Sequence, residues 1–347
     1  MNALKKMAAE RGAYIAVVTL FLIGATVLST IMHTDSDYAA GLTKPDENTP
    51  STEAESAQNI EEPDYSYERF TMTFTGSINA GSMLGSSSYG TLGGLYDEKG
   101  GGYFLEDITD ITKKDDLTLS FLSSVFSDSE ELSARDKSGE SEIGWYKAPA
   151  KNADILSLGG IDAVSLECPG TKDYGSDGYS DTKAALDECG IRWGDSGKAI
   201  YSSHSSGVSV GVYPCTYKAD NVPGIISWIE NASSSRDFVA VMISTSGKVT
   251  DEMTSDFHSF IDAGADLVVA TNSRSIVSTE SYGDGYIAYS LGSLVNGADK
   301  YGEKYSSILE AELIINGGAV ERVNYSITPV LNYSDSESWH PSPAENS

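Results

Sequence analysis

The chain has 347 residues, with 51 Asp and Glu against 23 Lys and Arg, for a formal net charge of -28. So acidic a surface argues against nucleic acid and anionic lipid headgroups as partners, because both would be repelled. The length is enough for one large α/β domain or two small ones.

The chain opens with Lys5, Lys6 and Arg11, followed by an uncharged apolar run over residues 12–32. About 20 such residues cross a bilayer core, and Asp35 and Asp37 lie beyond. The positive-inside rule then predicts a cytoplasmic tail over 1–11, a transmembrane helix over 12–32 and an extracytoplasmic remainder, anchored by a single pass in the cell membrane. A cleaved signal peptide ending near Ala39-Ala40 is the alternative; the length of the run favours the uncleaved anchor. Residues 33–67 are rich in Ser, Thr, Glu, Asp and Pro and poor in large apolar side chains. Such a composition cannot bury a core and reads as a disordered stalk.

Folding is expected from about residue 68 to residue 330. Phe70–Thr75 alternates as a strand does, and the Gly- and Ser-rich stretch 81–102 reads as a loop. Asp116–Ser123 predicts a second strand, residues 128–142 a charged surface loop, and 150–158 a helix. Ala163–Leu166 is a short buried strand after a Gly-Gly turn. Pro169-Gly170 breaks it, and Asp181–Glu188 has helical spacing stopped at Gly190. Gly194–Gly197 reads as a plain turn. Further along, strands are expected at Val208–Val212, Phe238–Ile243 and Leu267–Ala270, and helices at 223–235 and 256–262. Phe238–Ile243 is apolar throughout, as in a sheet covered on both faces. A closing hairpin spans Ile308–Ile315 and Val320–Ile327 around Asn316-Gly317-Gly318. Residues 331–347 read as a flexible tail.

The cysteines number three. Cys168 and Cys189 fall at opposite ends of one strand–loop–helix unit, about 15 Å apart on helix geometry, too far for a disulfide. Cys215 follows the apolar run Val208–Val212, and a Cys168–Cys215 bridge at a shared sheet end is a hypothesis that Cα atoms more than about 7 Å apart would rule out. His33, His204, His258 and His340 each read as solvated or packing residues. Glu167, Asp173 and Asp177 could together offer a hard-ion site, although no motif signals it.

The stretch 162–191, with DAVSL, TKDYG and YSDTKAALDECGI, resembles the signature of the CapA-type capsule (poly-γ-glutamate) synthesis family, which has a metallophosphatase-like (calcineurin-like) fold. GADLVVA at 264–270 and YSLGSLV at 289–295 resemble further family segments. The resemblance covers about residues 69–330. It implies an α/β/β/α sandwich of two mixed sheets flanked by helices, here preceded by the one transmembrane helix. It also locates the family's metal-binding and catalytic positions in this chain, and each holds a different residue. Ser77 stands at the family's metal-ligating Asp. Phe121 and Ser123 stand at an Asn and a Glu. Glu167, Cys168, Pro169 and Gly170 replace Ala-Asn-Asn-His. Ser244 or Thr245 falls at a His, Asn272 and Arg274 fall within His-His-Pro-His, and Ser293 replaces an Asn. A hydroxyl is a poor substitute for a carboxylate on a hard dication, so the resemblance implies no catalytic residues, no metal ligands and no cofactor. Ser77, Phe121, Ser123, Glu167, Cys168, Gly170, Ser244, Asn272, Arg274 and Ser293 then form a candidate ligand pocket. Arg274 would supply positive charge there without a cation.

The expectation is a membrane-anchored, catalytically inactive protein that binds or scaffolds in capsule or cell-envelope polymer handling. Its partners would be the membrane, an anionic polymer or envelope proteins, with no nucleic acid. A CapA-type metal-dependent hydrolase or ligase with an unrecognised site, and an extracellular sensor or adhesion module, are the alternatives.

Overall fold

The structure is a computed structural model that describes residues 67–83, 91–136, 145–245, 247–271, 278–297, 304–333 and 339–344. All of these belong to the unit Pro63–Ser347. The expected anchor at 12–32, most of the stalk, and the site candidates Asn272 and Arg274 lie outside the described residues. Among the described residues, no helix is long and apolar enough to cross a membrane.

Two mixed sheets dominate. The first is built on β1 (Glu68–Asn79), which pairs in parallel with β3 (Leu117–Leu122). From there the parallel order continues through β6 (Ala163–Ser165) to β7 (Arg192–Gly194) at the edge. On its other side β1 pairs antiparallel with β15 (Tyr305–Asn316), then come β16 (Ala319–Leu331) and β17 (Ser342–Pro343). β14 (Ser293–Asn296) joins the far end of β1 in parallel. The second sheet runs β12 (Thr279–Tyr282), β13 (Gly285–Ala288), β11 (Leu267–Thr271), β10 (Phe238–Ser244), β9 (Ser209–Thr216) and β8 (Ile200–Ser203). Its four inner strands are parallel and its two edges antiparallel. A small third sheet joins β2 (Ser82–Met83), β4 (Val125–Phe126) and β5 (Tyr146–Ala148).

The side-chain period of two explains the layering. Along β10, Phe238, Ala240 and Met242 face the core shared with Phe74, Leu119 and Phe121 of the first sheet. Val239, Val241 and Ile243 face α5 (Val222–Ser233) and α6 (Asp251–Asp262), against Ile225, Ile229, Phe257 and Phe260. A strand buried on both faces must be apolar at every position, as this one is. The outer face of the first sheet is covered by α1 (Leu92–Lys99), the 3₁₀ stretch Gly101–Ile108, α2 (Thr109–Thr112), α3 (Asp154–Leu158) and α4 (Gly175–Glu188).

Three segments differ from expectation. The loop expected at 81–102 contains α1: Thr91 caps it by accepting from the Gly94 N–H at 3.2 Å, and Leu92, Tyr96 and Phe104 are driven into the core. Apolar anchors outweigh the local Gly content here. α4 begins at Gly175, six residues before the expected start; Gly178 permits this because a Cβ there would meet Tyr174 Cβ at 2.7 Å. In the expected tail, Trp339 and His340 are buried, the Trp339 Nε1–H donates to Asn296 O at 2.7 Å, and His340 stacks on Tyr103 with ring centroids 4.4 Å apart.

Candidate functional site

The register of each sheet places one lateral row of residues at or near the carboxyl ends of its parallel strands, the end where α/β sheets bind ligands. In the first sheet the row runs Ser77, Phe121, Ser165 and Gly194, joined beside Ser77 by Ser293, the first residue of β14. In the second it runs Thr216, Ser244 and Thr271.

β1 reaches its row through a bulge. Its register to β3 shifts between Phe74 and Ser77, and its register to β14 shifts at Ser77. Gly76 makes the bend possible: any Cβ there would stand 2.6 Å from Gly292 O. The bend turns Ser77 toward Ser293, and the two buried hydroxyls lie 3.0 Å apart. Bulges of this kind re-aim side chains near functional sites. Phe121 is fully buried in the core between the sheets and offers the site no polar atom. Ser123 donates to Ile78 O at 3.2 Å.

The loop after β6 connects the two rows. Glu167 is 6% exposed, and each of its carboxylate oxygens is held within the protein. Oε1 accepts from the Ser196 N–H at 3.0 Å and Lys172 Nζ at 3.3 Å; Oε2 accepts from Thr216 Oγ1 at 2.9 Å and Lys172 Nζ at 3.4 Å. Such partners are what a buried carboxylate requires. Cys168 follows in the core between the sheets, beside Ser244. Burial pushes its thiol up to about 12, against smaller opposing help from the Ser244 hydroxyl, so it carries no thiolate near neutrality. Ser244 Oγ and Thr271 Oγ1 are both buried and find no hydrogen-bonding partner of good geometry among the described residues. Gly170 then turns the loop with φ 108°, and a Cβ there would strike Ser123 O at 2.3 Å.

Of the described candidates, Ser77, Ser293 and Phe121 are thus direct neighbours, and Glu167, Cys168 and Ser244 form a second group where the sheets meet. Gly170 and Ser123 form a backbone crossing. Asp173 and Asp177 do not join Glu167. Asp173 is buried and accepts from Arg135 Nε at 2.7 Å, and Asp177 is exposed in the first turn of α4. The Cys168–Cys215 pairing is not made, and all three cysteines are free. The reason is period two again: Cys215 faces the helical layer of the second sheet, and Cys168 faces the opposite side.

Thr216, Ser165, Ser196 and Lys172 are site-end residues that sequence reading alone passes over, and Thr271 opens the stretch matched to His-His-Pro-His without being among the candidates. Extending the expected strand at 208–212 to its true end would find Thr216.

Among the described residues, no three His, Cys, Asp or Glu side chains gather at one point, and Glu167, the carboxylate between the strand ends, is already satisfied. His204 bonds Ser206, His258 bonds Glu280 and stacks on Tyr282, and His340 packs on Tyr103.

No curated protein matches the chain. A crystal structure of a hypothetical protein from Thermus thermophilus is similar over 74% of this chain and 98% of that one, at 13% identity and a TM-score of 0.45, too low to carry an argument. The family model for the bacterial capsule synthesis protein PGA_cap matches residues 71–298. That span takes in both strand-end rows and the loop that joins them, and the chain belongs to the bacterial capsule synthesis protein family.

Proposed function

We propose that this protein is a non-catalytic member of its family: a membrane-anchored, extracytoplasmic component that binds or scaffolds during synthesis or attachment of a capsule or cell-envelope polymer. The layer order, helices outside two facing mixed sheets, supports the finer description of a metallophosphatase-like α/β/β/α sandwich. The apolar run at 12–32 supports the anchor.

One observation carries the reading. Glu167, the acidic group at the junction of the two rows, spends both oxygens on Lys172, Ser196 and Thr216. Metal-assisted hydrolysis needs ligands that fix a cation and lower the pKa of its bound water. Hydroxyls, one high-pKa thiol and one internally paired carboxylate do not supply that.

The test is metal analysis of the purified protein after incubation with Mn²⁺, Fe²⁺ and Zn²⁺, together with phosphoester turnover. Substoichiometric metal and no chelator-sensitive turnover are expected. Stoichiometric metal with turnover abolished by chelator would overturn the proposal.

A further inference from the structure

The two sheets end side by side. β7 closes the first, β8 closes the second, and a tight turn joins them, with the Asp195 N–H donating to Lys198 O at 3.0 Å and the Lys198 N–H to Asp195 O at 2.9 Å. Between these edges opens a cleft of about 470 Å³, lined by Asp187, Arg192, Trp193, Lys198 and Tyr201 among others. That volume lies within the range of small-molecule sites. None of the residues that line the cleft belongs to the strand-end rows, so its ligand does not depend on whether those rows are catalytic.

Its chemistry runs against the rest of the molecule. In a chain of net charge -28, the rim is cationic: Lys183, Arg192, Lys198 and Arg236 collect here, from only 23 Lys and Arg in all. Lys198 Nζ stands 3.4 Å from the centre of the Trp193 ring and Lys183 Nζ 4.1 Å from it, while the Arg236 guanidinium lies 4.8 Å over Tyr201. Lys183 is paired with Asp195 at 3.2 Å. Arg192 donates to Tyr201 O at 3.2 Å, and among the described residues neither Arg192 nor Lys198 has a carboxylate partner. Two unneutralised cations, one a guanidinium with the fork that fits a carboxylate, face the same opening.

The remaining lining narrows the ligand class. Asp187 accepts from the Trp193 Nε1–H at 3.0 Å with one oxygen, and its second oxygen is open to a hydroxyl donor. Tyr201 is 50% exposed and offers a flat apolar surface. A carboxylate beside the cations, on a strongly acidic body, repels a densely charged polyanion. It favours a ligand whose charges are spaced by neutral, hydroxyl-rich rings. We propose that the cleft between β7 and β8 binds an acidic glycan whose sugar units carry carboxylates: Arg192 and Lys198 take the carboxylate, Asp187 a ring hydroxyl, and Tyr201 the apolar face of a sugar.

The test is titration calorimetry of the full-length chain with tetragalacturonate, its methyl-esterified form, and polyglutamate of matched charge. Saturable binding of tetragalacturonate is expected, weakened about tenfold or more by Lys198→Glu, by Arg192→Gln and by esterification, the scale of one lost charge-assisted contact. Among the described residues the Lys198 side chain makes no hydrogen bond to the fold and loses only its cation–π contact to Trp193, so Lys198→Glu should stay folded with a melting temperature only a few degrees lower even if Arg192→Gln loosens β8. Absence of tetragalacturonate binding would overturn the proposal. So would equal binding of the ester, tighter binding of polyglutamate, or full affinity in a folded Lys198→Glu variant.

Discussion

Thr216 Oγ1 lies 2.9 Å from both the backbone carbonyl and a carboxylate oxygen of Glu167, so the end of β9 is latched to the loop that leaves β6. The latch adds a polar tie to two sheets whose shared core is apolar. Glu167→Ala should therefore destabilise the domain by about 1–2 kcal/mol, since it takes the side-chain acceptor from the part-buried Ser196 N–H and from Thr216, which keeps only the backbone carbonyl. Thr216→Val should cost about 1 kcal/mol, and the double variant less than the two together. Urea unfolding of the four proteins measures the coupling.

Gly170 and Gly190 give a matched pair of backbone tests. Both hold positive φ, 108° and 72°, but a Cβ at Gly170 meets Ser123 O at 2.3 Å whereas one at Gly190 meets nothing within 4 Å. Gly190→Ala should cost about 1 kcal/mol, the conformational share alone. Gly170→Ala should cost clearly more, about 3 kcal/mol, because the β3–loop crossing must also separate. Equal melting temperatures for the two variants would contradict this account.

The thiols should react in a set order. Burial raises all three thiols, but Cys189 is only half-buried, whereas Cys168 and Cys215 are buried and out of reach of a reagent. Alkylation of the native protein at pH 8, followed by mass spectrometry, should label Cys189 first. The other two should label only at the rate of unfolding. Rapid native labelling of Cys168 would show that the junction between the sheets opens.

Asp115 and Asp266 carry a pH signature. Burial raises each from its ordinary value to about 6. The folded state then holds protons that the unfolded chain has already released. Stability from these groups is full below about pH 4 and is lost as pH rises through about 6. Asp266 also accepts the Val239 N–H at 2.7 Å, a bond that the amide oxygen of Asn can keep. Asp266→Asn should therefore flatten the melting temperature between pH 4 and 6 relative to wild type.

The central layers are legible in the sequence because burial on two faces leaves no choice of residue. Phe238–Ile243 can only be an inner strand, and its neighbours follow from spacing. The site end is legible as a set of positions but not as a set of contacts. That Ser77 meets Ser293 depends on the bulge at Gly76, and that Glu167 meets Thr216 depends on β9 running past Pro214, beyond the stretch paired with β8. Neither is encoded in local periodicity. α1 escapes a sequence reading for a related reason: two core anchors, Leu92 and Tyr96, outweigh a Gly-rich neighbourhood, and that balance is decided by tertiary packing.

The arrangement of β1 has a consequence for how the protein is made. Its parallel neighbour β3 follows within some tens of residues, but its antiparallel partner β15 arrives far later; the Arg69–Glu312 pair across that seam is separated by 243 positions. Until the ribosome has passed residue 316, one side of β1 remains an open row of amides and carbonyls next to Phe70, Met72 and Phe74. Maturation is thus gated by the arrival of the β15–β16 hairpin, and a nascent chain stalled before it would present a sticky, unclosed seam to any chaperone or sister molecule nearby.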